Sequence, residues 1–343
     1  MLAVIHWLSF PGLGIGPFKI DTVAFNIFGK DIAWYGIIIC CGMILAFLYS
    51  NNRARHEGVS TDDFLDLIIF AIPVGIICAR TYFVLTKLEL YDSFWDMCKI
   101  WEGGLAIYGA IIGGFIVVLA FSKIKKIKFY KLLDIVAPGV LIGQIIGRWG
   151  NFANAEAHGG STGLPWRMGI GSTNVITEFY HPTFLYESVW NLIGFLIIHL
   201  VYKKKKFDGQ IFCLYIAWYG FGRMFIEMLR TDSLYINLFG TEYRISALVG
   251  LLSFIVGLIL YITLKKGGLR HEEAVLSKEN SFKQMIKESD EDQREVDSAR
   301  EKANIMNLKT DNTDTAPSKE AAPDASAEAS ETSSEDEKTG RNS

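Results

Sequence analysis

Charge is scarce in this 343-residue chain until close to its C-terminus, with only 21% Asp, Glu, Lys or Arg against 50% hydrophobic residues. The average understates the split. Residues 271–343 hold 19 acidic and 10 basic side chains, leaving 18 and 24 in the first 270. A body so poor in charge, cut into apolar runs of about 20 residues by short polar links, excludes an ordinary soluble enzyme and predicts a polytopic membrane protein. The net charge of −3 averages a basic body with an acidic tail and carries no information on partners. Nucleic acid is not expected among them. Cysteine is sparse as well: Cys40, Cys41, Cys78 and Cys213 lie in or at the ends of apolar runs and only Cys98 in a polar link, which excludes a disulfide framework. No Cys-x-x-Cys or Cys/His metal spacing occurs, so no metal or other cofactor is expected. Repeats of fixed period and an inverted pair of broken helices are also missing, which counts against a transporter.

What is present is a series of apolar windows near bilayer length, at roughly 33–50, 64–84, 103–121, 131–148, 184–202, 211–229 and 246–264. Alternate links carry 14 and 7 Lys plus Arg, and the richer set lies inside. The expectation is an all-α integral membrane protein of seven transmembrane helices, with the N-terminus outside and the C-terminus in the cytoplasm. Residues 1–270 form its membrane domain, and the link 149–183 is long enough for a small extracytoplasmic cap. Met1 to Phe18 lacks a charged n-region and is broken by Pro11, Gly12 and Gly14, so it reads as an interfacial or re-entrant segment rather than a signal peptide. Residues 271–343, with Phe282 as their one aromatic, cannot bury enough apolar surface to order themselves and are expected to be a disordered cytoplasmic tail.

A charge at membrane depth needs a partner or a task. Tyr35, Arg80, Tyr108, Arg148, His181, Glu187, Arg223, Glu227 and Arg230 all fall in the outer halves or at the outer ends of spans. Any one of them is best explained as a snorkelling side chain or a member of the aromatic belt; nine from six spans are not. Arg223, Glu227 and Arg230 are spaced i, i+4 and i, i+3, so a helix sets the carboxylate between two guanidinia with one positive charge left over. Either this is a self-neutralising ion pair, or the surplus guanidinium joins Arg148 in holding a phosphate, for which the planar fork of Arg is suited. At headgroup depth that phosphate belongs to a phospholipid. The densest polar stretch runs from Gly147 to Gly160, where a span exits; its Gly150, Gly159 and Gly160 allow a backbone to approach a ligand closely. Gly159 to Gly163 matches G-x-S-x-G, and Gly12 to Gly16 suggests a dinucleotide loop, but neither has the strand and helix context those motifs need. Asp66 and Asp134, at inner helix ends, read as first-turn acids favoured by the helix dipole.

From Gly147 to Gly159 the chain reads G-R-W-G-N-F-A-N-A-E-A-H-G. Three further blocks stand in order: Asp31-Ile-Ala-Trp-Tyr35-Gly36, His181-Pro-Thr-Phe-Leu-Tyr-Glu187 and Gly222-Arg223-Met-Phe-Ile-Glu227-Met-Leu-Arg230. In these the sequence resembles the prolipoprotein diacylglyceryl transferase family, over about residues 20 to 265. The resemblance implies a bacterial plasma (inner) membrane enzyme, multi-pass, with its active site toward the outer face. Such an enzyme moves the diacylglyceryl group of phosphatidylglycerol to the thiol of a lipobox cysteine in a preprolipoprotein and releases glycerol phosphate. Its partners would be phosphatidylglycerol, other membrane lipid and lipobox-containing preprolipoproteins. Carried over residue by residue, Arg148 binds phosphatidylglycerol, and Tyr35, Asn151, Glu156, Gly159, Arg223 and Glu227 match positions the family relies on. The candidates are therefore Tyr35, Asn151, Glu156, Arg223, Glu227 and Tyr108 for catalysis and Arg148, Gly159, Arg230 and His181 for substrate binding. Two departures stand out: Tyr108 occupies a position that is His in many members, and Ala153 one that is usually a larger apolar residue. The proton acceptor stays open among Tyr108, His158, His181, the leaving phosphate and water. The rival readings are a lipid or anion transporter, which should carry polar groups into its inner half, and a non-catalytic scaffold with the acidic tail as a docking arm.

Overall fold

In the computed structural model, residues 5–238 and 241–268 are described, together with nine single positions between 281 and 302. The chain divides into Met1–Glu272 and Glu273–Ser343. The expected tail thus lies, save for those nine positions, outside the described residues, as do the first four residues of the opening segment.

The first unit is mostly helical: α1 (Trp34–His56), α2 (Thr61–Thr86), the short α3 (Phe94–Cys98), α4 (Ile107–Ile124), α5 (Phe129–Ala153), α6 (Thr183–Tyr202), α7 (Gln210–Leu229) and α8 (Ile245–Gly268). Six of these, all but α3 and α7, are long and apolar enough to cross a membrane. Helix α7 has the length, at 20 residues, but carries Arg223 and Glu227 in its last two turns. Burial runs opposite to that of a soluble protein. Arg80, Asp134, Glu187 and Glu227 are buried, while Phe70, Ile77 and Leu200 are 60–67% exposed on helix surfaces. Such a surface requires hydrocarbon around it, where a helix is favoured because it satisfies every backbone group internally.

Several helix starts have identifiable causes. Ser60 caps α2, its Oγ accepting from the Asp63 N–H at 3.0 Å, with Asp62 and Asp63 in the first turn. Asp134 does not serve its own helix as expected. It is fully buried, and its carboxylate accepts from the Gly209 and Phe212 N–H groups at 2.8 and 2.9 Å, capping α7 from a neighbouring helix. An acid on one helix answers the unpaired donors at the start of another because the two ends meet in the fold. Around it Lys205 reaches Glu57 at 2.6 Å and Asp134 at 3.4 Å, and Arg53 lies over the Tyr49 and Tyr202 rings. Polar groups are therefore not confined to one end of the helices; in this second cluster the charged groups pair with one another.

Small residues set the tightest helix crossing. A Cβ on Gly109 of α4 would stand 2.3 Å from the carbonyl oxygen of Cys78 and 2.7 Å from the Ala79 Cα, both backbone atoms of α2. Gly109→Val is expected to destabilise the protein by about 3 kcal/mol, because a backbone neighbour cannot swing aside. Thermal unfolding in detergent should show the loss, whereas Gly114→Val, with nothing within 4 Å, should melt as the wild type does.

The described part of the opening segment is strand. Its apolar residues are too few and too interrupted for a spanning helix, and they pair instead as β1 (Ile5–Phe10) and β2 (Ile15–Asp21) around a turn with Pro11 in its first position and Gly14 at φ 73°. Strands β3 (Val23–Ile27) and β4 (Lys30–Ala33) form a second hairpin leading into α1. The link after α5 supplies β5 (Met168–Gly171) and β6 (Phe179–Tyr180), which complete a sheet in the order β2-β1-β5-β6. The link 149–183 is thus joined in one sheet with the N-terminal strands. A third hairpin, β7 (Tyr235–Leu238) with β8 (Thr241–Arg244), joins α7 to α8.

Candidate active site

The end of α5, the start of α6 and the end of α7 meet in an alternating row of charges. Arg148 Nη2 stands 2.5 Å from Glu187 Oε1, and Glu187 Oε2 stands 3.0 Å from Arg223 Nη1. Arg223 Nη2 then reaches Glu227 Oε2 at 2.5 Å, and Arg230 Nε lies 3.9 Å from that same oxygen. The helical spacing sets Glu227 between Arg223 and Arg230. Arg230 is itself paired: its fork holds Asp232 at 3.0 and 2.6 Å. Burial works against ionisation of Asp232, yet the hydrogen bonds and charge of Arg230 hold its carboxyl below the ordinary carboxylate range. The residue missing from the sequence candidates is Glu187, 3% exposed and shared by two arginines from two other helices. Its signals were a carboxylate inside an apolar run, which demands partners, and its place at the end of the block His181 to Glu187.

The loop leaving α5 aims Arg148. Arg148 Nη1 donates to Asn151 Oδ1 at 3.2 Å, and Asn151 Nδ2 donates to Glu156 Oε1 at 3.0 Å, where Asn154 Nδ2 also donates at 3.3 Å. Ala155 and Ala157 both hold positive φ, 49° and 55°, and these left-handed turns on each side of Glu156 bring its carboxylate back toward the end of the helix. Tyr35 enters through packing: a Cβ on Gly150 would stand 2.8 Å from its ring. Gly159 likewise packs against protein. Its N–H donates to the His181 carbonyl at 2.9 Å, it bridges to Arg230, and a Cβ there would meet His181 Cβ at 2.7 Å and the Leu229 oxygen at 2.8 Å. Of the three glycines expected to admit a ligand, only Gly160 faces open space.

Other polar residues stand further out. His181 Nδ1 is 3.3 Å from the Tyr186 hydroxyl, and His158 Nδ1 is 3.0 Å from the Gly159 oxygen. Tyr108, the second residue of α4, has its hydroxyl 3.4 Å from Ser246 Oγ on α8. Arg80 does not snorkel. It is buried and donates to the carbonyls of Asp96, Met97, Gly103 and Gly104, fixing the link that leads to Tyr108. Arg244 reaches back to the Glu227 carbonyl, closing the end of α7.

An apolar-surfaced helical bundle that buries an arginine and carboxylate network between three helices is a multi-pass membrane protein with a polar site. Residues 22–263 match the family model described as prolipoprotein diacylglyceryl transferase. Three relatives each carry the name phosphatidylglycerol–prolipoprotein diacylglyceryl transferase. One from Clostridioides difficile is 45% identical over 249 residues, 72% of this chain and 96% of the relative. Another from Listeria innocua is 40% identical over 276 residues, 78% and 98%. A third from Finegoldia magna is 44% identical over 255 residues, 74% and 99%. The chain belongs to the prolipoprotein diacylglyceryl transferase family.

Proposed function

We infer that this chain transfers the sn-1,2-diacylglyceryl group of phosphatidylglycerol to the thiol of a lipobox cysteine in a preprolipoprotein, the first step of lipoprotein maturation. The observation that carries the residue assignment is the pair of guanidinia, Arg148 and Arg223, set on either side of Glu187 inside a bundle with an apolar surface. Helix α7 crosses the membrane as the seventh span, its charges neutralised within the bundle. The N-terminus lies outside and the C-terminus in the cytoplasm, as the excess of Lys and Arg in alternate links requires. The site then faces the outer side of the bacterial plasma membrane at headgroup depth, and residues 271–343 hang in the cytoplasm.

The reaction forms a bond between sulfur and the glycerol carbon and breaks that carbon's bond to the phosphoester oxygen, which keeps the electron pair. No enzyme nucleophile is needed. Arg148 and Arg223 hold the phosphate and stabilise the charge growing on it. Asn151, held by Glu156, aims Arg148, in place of the direct donation to phosphate that its amide would allow; Glu227 aims Arg223, and Tyr35 supports the end of α5 at Gly150. Gly159, His181 and Arg230 tie the loop to α6 and α7. A phosphomonoester with a second pKa near 6 can accept the thiol proton. On this reading the leaving phosphate is the acceptor, and Tyr108 contributes a hydrogen bond. Tyr108→Phe should accordingly lower the transfer rate about tenfold, the worth of one neutral hydrogen bond. Complete loss in a folded variant would make the hydroxyl essential and refute this assignment.

The test of the whole reading uses purified protein in phosphatidylglycerol vesicles with a lipobox peptide, followed by mass spectrometry. The cysteine peptide should gain one diacylglyceryl group and a serine version none. A folded protein that binds the lipid but modifies neither peptide would favour a transporter or scaffold.

A further inference from the structure

Glu187 occupies the donors that a phosphate needs. One carboxylate oxygen takes an N–H group of Arg148 and the other an N–H group of Arg223, at 2.5 and 3.0 Å, and the residue is 3% exposed. Arg148, Glu187, Arg223 and Glu227 together carry no net charge, so the arginine pair offers geometry for an anion without a large excess of positive charge. We propose that Glu187 is an electrostatic brake on product binding: it keeps the arginine pair from retaining the glycerol phosphate that transfer releases. The inference rests on the transferase reading above.

The argument is one of differences. The phosphodiester of phosphatidylglycerol carries a single negative charge, while the released monoester, with a second pKa near 6, carries between one and a half and two at neutral pH. Two guanidinia alone would bind the product more tightly than the substrate and slow every turnover. A buried carboxylate beside both repels each anion, and repels the more highly charged one more strongly. In a site shielded from bulk water the repulsion is weakly screened. Glu187 also spaces the two forks, because its oxygens tie one to each side. It acts through the arginines and is a positioning residue.

The experiment titrates the full-length protein in detergent with sn-glycerol 1-phosphate by calorimetry, and in parallel measures KM for phosphatidylglycerol in the peptide assay. Glu187→Gln keeps the shape and removes the charge. It should tighten glycerol phosphate binding about tenfold and lower KM for the lipid less, about threefold, with a lowered kcat limited by release. Glu187→Asp, which keeps the charge, should bind the product as the wild type does. A merely structural role would weaken both ligands together. Unchanged or weaker product binding by Glu187→Gln, beside a wild type that transfers, overturns the inference alone. Because calorimetry needs no turnover, an inactive variant still gives the deciding number. A wild type that transfers no diacylglyceryl group removes the transferase reading and the inference with it.

Discussion

Arg148→Ala is expected to lower diacylglyceryl transfer by about 10³-fold or more, with most of the loss in kcat/KM. Two effects act in the same direction. The variant loses a charged two-pronged donor to a phosphate whose charge grows as the carbon–oxygen bond breaks, and removing one such donor typically costs 10²- to 10³-fold. It also leaves Glu187, buried at 3% exposure, with Arg223 as its remaining ion-pair partner. Breaking a buried pair by removing one side costs about 3–5 kcal/mol, a ceiling here because Arg223 still compensates part of the charge. Arg148→Lys should do less harm, about 10²-fold, because the charge survives but the fork that reaches Glu187 and Asn151 together does not.

The two effects separate in a double variant. Adding Glu187→Gln to Arg148→Ala removes the stranded carboxylate, so thermal stability in detergent should return toward wild type while transfer stays lost. If Arg148→Ala alone transfers at more than a tenth of the wild-type rate, the phosphate is held elsewhere.

How much of this was legible beforehand depends on where each partner lies along the chain. Apolar runs revealed the helices because in hydrocarbon a long apolar run has few alternatives to helix. Their ends were less visible: α1 continues to His56 and α5 to Ala153, past the expected ends at 50 and 148, since polar residues extend a helix beyond the bilayer. Arg53, Arg55 and His56 even favour the last turn of α1. The row Arg223, Glu227 and Arg230 was readable from intrahelical spacing. Glu187 as the bridge was not, because its partners lie 39 and 36 residues away on other helices. Asp134 was misread for the same reason, its donors coming from residues 75 and 78 positions further on. The N-terminal hairpin was hidden because a short apolar segment broken by Pro and Gly is compatible with several structures until β5 is seen beside it. Glycines were the hardest of all, since a missing side chain does not say what fills its space.

Gly159 turns that last point into an experiment. If its role were to let the backbone approach lipid, Gly159→Ala and Gly160→Ala should be similarly harmful, both lying in the same loop. The geometry separates them. A Cβ at Gly159 would meet His181 Cβ at 2.7 Å, the Leu229 carbonyl oxygen at 2.8 Å and Thr183 Cγ2 at 3.1 Å, while one at Gly160 would meet nothing within 4 Å. Two of these neighbours are the start of α6 and the end of α7, the elements that carry Glu187 and Glu227. The segments are tied by the bonds Gly159 N–H to His181 O and Gly160 N–H to Leu229 O, both 2.9 Å. Gly159→Ala must therefore push the loop off the two helix ends, and displacement on the order of 1 Å at a reacting centre costs roughly 100-fold in rate. Transfer should fall by about that factor in Gly159→Ala and stay within about twofold of wild type in Gly160→Ala, measured as initial rates with the same lipobox peptide. Lipid affinity should change less than kcat, because both arginines remain. A Gly160→Ala variant as damaged as its neighbour would mean that the open side of the loop, not its contact with α6 and α7, is what the reaction uses.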